Sequence, residues 1–150
     1  MKISRLVSIL LALTFFGCSD DIQILEERIK TQAELNNTEI SSVEIKKTAL
    51  YLDAWSKKDF YEDAIAGFLE EDKLDFPKEI EVLFTGSSSI RFWNSLEDDM
   101  QPLKVLNRGF GGAHIAHVNH HFEDIIQRYS PKAIVFFCGT NDLTALKTPE

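Results

Sequence analysis

EIEVLFTGSSSIRFW, residues 79 to 93, is the stretch on which the reading of the fold turns. A short run rich in apolar and aromatic residues stops at Gly86, three serines follow, and Ile90, Phe92 and Trp93 then resume the apolar pattern. A run of that length ending on glycine predicts a buried strand that hands over to a helix. Ser87 to Ser89 then have two readings. They either cap the new helix or expose a hydroxyl at the strand tip, where it can act as a nucleophile.

The same arrangement recurs downstream. LKVLN (103 to 107) runs into NRGFGG, and KAIVFFC (132 to 138) runs into GTND. With EIEVLFT (79 to 85), these predict three buried strands. Between the last two, AHIAHVNHHFEDIIQRY (113 to 129) predicts a helix with Ile115, Val118, Phe122, Ile125 and Ile126 as its apolar stripe. Strands alternating with helices predict an α/β fold, a three-layer α/β/α arrangement around a parallel, doubly wound sheet. Ligands of such sheets gather beyond the carboxyl ends of the strands, so TGSSS, NRGFGG and GTND are expected to meet at one site.

Upstream, the chain from Asp20 to Pro77 is polar and charged. Ile22, Leu25, Ile29 and Ala33 recur at helical spacing, as do Phe60, Ala64, Ile65 and Phe68. Helices are predicted near 22 to 36 and 58 to 71, with another helical piece between 42 and 56. Residues 18 to 57 read as a tether and helical segment, and residues 58 to 150 as the domain. The acidic clusters at 70 to 72 and 97 to 99 read as solvated faces. Arg91 reads as a surface or interhelix pairing and Trp93 as packing.

A 150-residue chain with 44% hydrophobic residues has about one domain's worth of core. Its net charge of -8 argues against nucleic acid as a partner, because phosphate binding needs clustered Lys and Arg. Lys2 and Arg5 precede an apolar run from Leu6 to Phe16, the pattern of a secretory signal too short to span a bilayer. Gly17 directly before Cys18 resembles the lipobox of a bacterial lipoprotein, although Phe15 stands where that pattern has Leu. The resemblance implies a signal peptide over 1 to 17, lipidation of Cys18, and an exported protein held to the membrane of the cell envelope by its lipid. Cys138 then has no cysteine to pair with, so it reads as a small buried hydrophobe, and the fold must rest on its core.

The three loops supply what acyl transfer needs. Ser88 can present a hydroxyl, Gly112 lets backbone approach a substrate, and Asn141 offers an amide donor to a developing oxyanion. VLFTGSSSIRFW, NRGFGG and GTNDL, in this order and at these distances, resemble the SGNH or GDSL family of serine esterases and lipases over about residues 58 to 150. The segment ending in LKTPE is also similar to bacterial members of that family. The resemblance implies that Ser88 is the nucleophile. It also implies that the Ser88 N–H, Gly112 and Asn141 form the oxyanion hole, that Asp142 orients its loop, and that no metal or organic cofactor takes part. The implied substrate is a small ester, an acylated sugar or lipid.

The chain departs from the family pattern in two places. Ser87 stands where the name-giving motif has Asp, and the D-x-x-H motif that carries the family's general base is absent from these 150 residues. The resemblance therefore implies that residues 58 to 150 are the N-terminal part of the domain. The G-x-S-x-G elbow of α/β-hydrolases is also absent, since Ile90 replaces its second glycine. A half-sheet with an open edge is expected to associate. An alternative is a non-catalytic lipoprotein in which the sheet serves as a binding or structural module.

His114, His117, His120 and His121 crowd into one predicted helix. His117 and His121, one turn apart, allow a metal site, but HVNHH lacks the Glu of zinc hydrolases, so the preferred reading is a solvated or capping face. His114, beside Gly112, is expected to line the substrate entrance.

Overall fold

In a computed structural model, which describes residues 19 to 147, the apolar run after Ile80 forms strand β1 (Val82–Gly86). The predicted signal peptide and Cys18 lie outside the described residues. Helices α1 (Ser19–Leu35), α2 (Ser42–Trp55) and α3 (Glu62–Leu74) precede β1. After it come the single turns α4 (Ser88–Arg91) and α5 (Leu96–Asp99), strand β2 (Val105–Gly109), α6 (Ile115–His120), α7 (Phe122–Ile125) and a 3-10 turn over Gln127–Tyr129. Strand β3 (Ala133–Phe137) and α8 (Thr140–Thr144) complete the order. The fold is mixed α/β with an open, three-stranded, all-parallel sheet. Among the described residues no helix is long and apolar enough to cross a membrane.

The chain divides into two compact units, one reaching Trp55 and the other starting at Ser56. In the first, α1 and α2 pack together, with Ile29, Ile45, Ala49 and Leu52 buried. The Glu44 carboxylate accepts the backbone N–H and hydroxyl of Ser41, which fastens the start of α2.

The second unit holds the sheet, in the order β2-β1-β3. Side chains alternate across it. Phe84 and Val105 face Ile90 of α4 and Leu96 of α5, while Leu83 and Leu106 face Ile65 of α3 and Ile125 of α7. Helices thus cover both faces of the β1–β2 pair. On the second face Asp72 is buried, against the expectation of a solvated acidic cluster. The reason is Arg108, which sits in an apolar strand and needs a counter-charge. Its Nη2 donates to Asp72 Oδ1 at 2.6 Å, its Nε donates to Tyr129 Oη at 2.8 Å, and that hydroxyl donates to Asp72 Oδ2 at 2.6 Å. Burial, and then the bond to Asp72, hold the Tyr129 phenol above its usual range.

Two expectations are corrected here. The single helix over 113 to 129 is three short pieces, because the backbone leaves helical geometry at His121 and Ile126 and turns left-handed at Ser130. The break rephases the stripe, so Val118, Ile125 and Ile126 are buried but Ile115 and Phe122 are exposed. The last strand is not buried either. Ile134, Val135, Phe136 and Phe137 of β3 are 39 to 52% exposed, because the helices that pack over the faces of β2 do not cover β3 in the same way among the described residues.

Candidate functional site

The three strands end level. Gly86 pairs in register with Gly109 on one side and Phe137 on the other, so the three predicted loops leave from one line. The chain steps from β1 out to β2 and back across to β3, which makes the β1/β3 boundary the point where the strand order reverses. Crevices that bind ligands open at such points.

At the tip of β1 the backbone has to turn tightly beneath β3. Gly86 has φ +131°, and a Cβ there would lie 2.0 Å from the Phe137 carbonyl oxygen, so only glycine fits. Ser87 follows, is 2% exposed, and donates its backbone N–H to Phe137 O at 3.0 Å. It holds the N-cap position of α4, yet its hydroxyl makes no capping bond. Ser88 is half-buried and Ser89 exposed. Ser87 is therefore shut in, while Ser88 and Ser89, both in α4, are reachable. Among the described residues the Ser88 hydroxyl has no hydrogen-bond partner.

The second and third loops are tied to each other. Gly112 has φ +80°. At the next residue, the Ala113 carbonyl accepts the Asn141 side-chain amide at 3.0 Å and the Cys138 thiol at 3.2 Å. Asp142 Oδ2 accepts the Ile115 N–H at 3.1 Å, which fixes the GTND loop against the start of α6. Burial pushes the Cys138 thiol up to about 11, leaving it protonated and unreactive at neutral pH. The structure thus joins Asn141 to the neighbour of Gly112 by hydrogen bonds, and brings Ser88 to the same end of the sheet through strand register.

The histidines do not line an entrance. His114 and His117 are fully buried and their rings stack at 4.8 Å. His117 Nδ1 accepts the His114 backbone N–H at 2.9 Å, and its Nε2 lies 2.9 Å from the Lys57 carbonyl oxygen, to which it can only donate. Both ring nitrogens are occupied, so His117 is a capping group and not a metal ligand. No cluster able to hold a metal occurs among the described residues. Lys147 Nζ, which has only donors, lies 2.7 Å from His114 Nδ1 and 3.8 Å from Asp142 Oδ1. Burial, and then the Lys147 and His117 charges, depress His114 to about 4, so it is neutral at pH 7.

Sequence reasoning missed Lys147, which nothing in the sequence marked. Arg91, read as a surface or interhelix pairing, is exposed. A Cβ on Gly111 would stand 2.9 Å from Arg91 Nη1, so the guanidinium lies against the loop that carries Gly112. Arg91 forms no ion pair among the described residues. Trp93 packs edge-on to Phe84 and donates its indole N–H to Asp99 at 2.6 Å. Scans against protein-family models, curated proteins and solved structures find no match for this chain.

Proposed function

We propose that this chain carries the nucleophile and oxyanion hole of a serine ester hydrolase of the SGNH or GDSL type. In this reading the domain is a three-layer α/β/α fold, exported and held to a membrane through lipidated Cys18. One observation carries it. Three parallel strands end level, so a reachable Ser88, the Gly112 loop and Asn141 stand at one end of the sheet, while the neighbouring Ser87 is buried.

The chemistry follows from those roles. Ser88 Oγ adds to the carbonyl carbon of the ester, and the N–H groups of Ser88 and Gly112 with the Asn141 amide take the developing oxyanion. Collapse expels the alcohol, which takes up a proton, and water then adds to the acyl-enzyme to release the acid and restore the hydroxyl. The proton acceptor is the D-x-x-H histidine of the family pattern, which is not among these 150 residues. The substrate is a small ester of a sugar or a lipid. On the whole protein, Ser88→Ala should abolish hydrolysis of a short-chain nitrophenyl ester while Ser87→Ala keeps it. Equal loss from both variants would sink the assignment.

Among the described residues no acceptor meets the Ser88 hydroxyl, which favours a second reading, a binding or structural module without catalysis. Hydrolysis that is absent from the whole protein, with the fold intact by circular dichroism, would select it.

A further inference from the structure

Alternation along β2 sends Val105 and Asn107 to the sheet face on which α4 and α5 lie. A half-buried amide beside an apolar cluster needs partners for both of its ends. Asn107 finds them in two parts of the site. Its Nδ2 donates to the Ile90 carbonyl of α4 at 2.7 Å, and its Oδ1 accepts the Gly109 N–H at 2.9 Å, where β2 opens into the loop that carries Gly112. A leucine would fill similar space without either bond, so what the amide contributes is the link.

That link matters because α4 has little hold of its own. It is a single turn, Ser88–Arg91, and the Ser87 hydroxyl does not cap it. A helix that short is not stable on its own hydrogen bonds. Its seat is set by the Ile90 side chain, which enters the cluster of Phe84, Leu96 and Val105, and by Asn107 on the Ile90 carbonyl. The approach is so close that a Cβ on Gly109 would lie 2.7 Å from the Arg91 backbone nitrogen and 2.8 Å from Ile90 Cβ. Phe110, the next residue, donates its N–H to Gly86 O at 3.1 Å. Ile90 is two residues from Ser88 and Gly109 is three from Gly112, so the amide couples the turn that bears the hydroxyl to the loop that bears Gly112.

We infer that Asn107 is a positioning residue of the acyl transfer, holding the α4 turn and the Gly112 loop at the separation that the attacking oxygen and the oxyanion donors require. It acts through Ile90 and Gly109 and exchanges no proton itself. A displacement of about 1 Å between such groups is enough to cost roughly 100-fold in rate. The role rests on the esterase reading, because it gives the spacing a purpose beyond the fold.

On the whole protein, Asn107→Ala should lower kcat for a short-chain nitrophenyl ester about 100-fold and leave KM within about threefold, since the lost interaction acts on the transition state. Asn107→Asp supplies a readout that lost packing does not move. Its carboxylate keeps an acceptor for the Gly109 N–H but has no hydrogen for Ile90 O, whereas the neutral acid has both. Half-burial against that carbonyl favours the neutral acid, so the ratio of variant to wild-type kcat should rise as pH falls from about 8 to about 5.5. A flat ratio, a wild-type kcat in Asn107→Ala, or a loss carried by KM would overturn the positioning role alone, provided that Ser88→Ala abolishes hydrolysis. Hydrolysis that survives Ser88→Ala would overturn the esterase reading, and the role of Asn107 with it.

Discussion

β2 and β3 pair with β1 along five residues each, in the same parallel sense, yet their side chains meet opposite surroundings. Around β2, helices lie on both faces and a buried ion pair is satisfied on every side. Around β3, Ile134 and Phe136 on one face and Val135 and Phe137 on the other stand about half exposed. An apolar run states how much surface a strand needs to bury, and neighbours decide whether that need is met. In β3 it is not met among the described residues, so the strand presents an apolar surface and a row of unpaired backbone groups ready to associate.

The most direct way to break the comparison is to unseat the sealed flank. Asp72→Ala leaves Arg108 buried without its counter-charge, and loss of one partner of such a pair costs about 3–5 kcal/mol. Urea unfolding should show a free energy of unfolding lower by that amount, and a change under about 1 kcal/mol would mean that water reaches Arg108.

A pH titration sharpens the same contrast, because the sealed unit also holds histidines that tolerate burial only when neutral. Lys147, His117 and Asp142 face His114, and its folded value of about 4 lies below the unfolded 6.5. As pH falls through 6.5 the unfolded chain takes up the proton first. The stability from this site is thus complete above pH 6.5 and lost as pH approaches 4, by about 3 kcal/mol at the limit. Burial shifts His117 and His121 in the same direction. A unfolding midpoint that stays flat between pH 7 and 4 would contradict this account.

On the bare flank the expected effect on stability is smallest. Phe136→Lys should change unfolding free energy by no more than about 0.5 kcal/mol, because the ring is already half in solvent. It should shift light scattering toward smaller species, since a lysine on an exposed edge opposes pairing. A large loss of stability would show that Phe136 is packed.

Much of the fold was legible before the structure. The three strands lie within two or three residues of their expected bounds, and helices form near all three upstream positions, because apolar period and glycine punctuation are local signals. α3 starts four residues late, at Glu62, since Tyr61 and the residues before it form a turn. Asp72 was misread because its acidic neighbours are solvated, and the residue that buries it is 36 positions away. An arginine inside the apolar run VLNRG was the available hint. His114 was misplaced for a similar reason. Proximity to Gly112 suggested an open position, while the stacking of His117 and the approach of Lys147 close it off.

The sequence by itself determined where strands end and that each ends in glycine and polar residues, because those features are written in a few consecutive positions. Tertiary structure alone decided which of three adjacent serines is shut in, which flank of the sheet is covered, and that Arg108 is buried against Asp72. Those outcomes depend on strand order and on side chains far apart in the chain, and burial of a charge or a ring is set by what arrives against it.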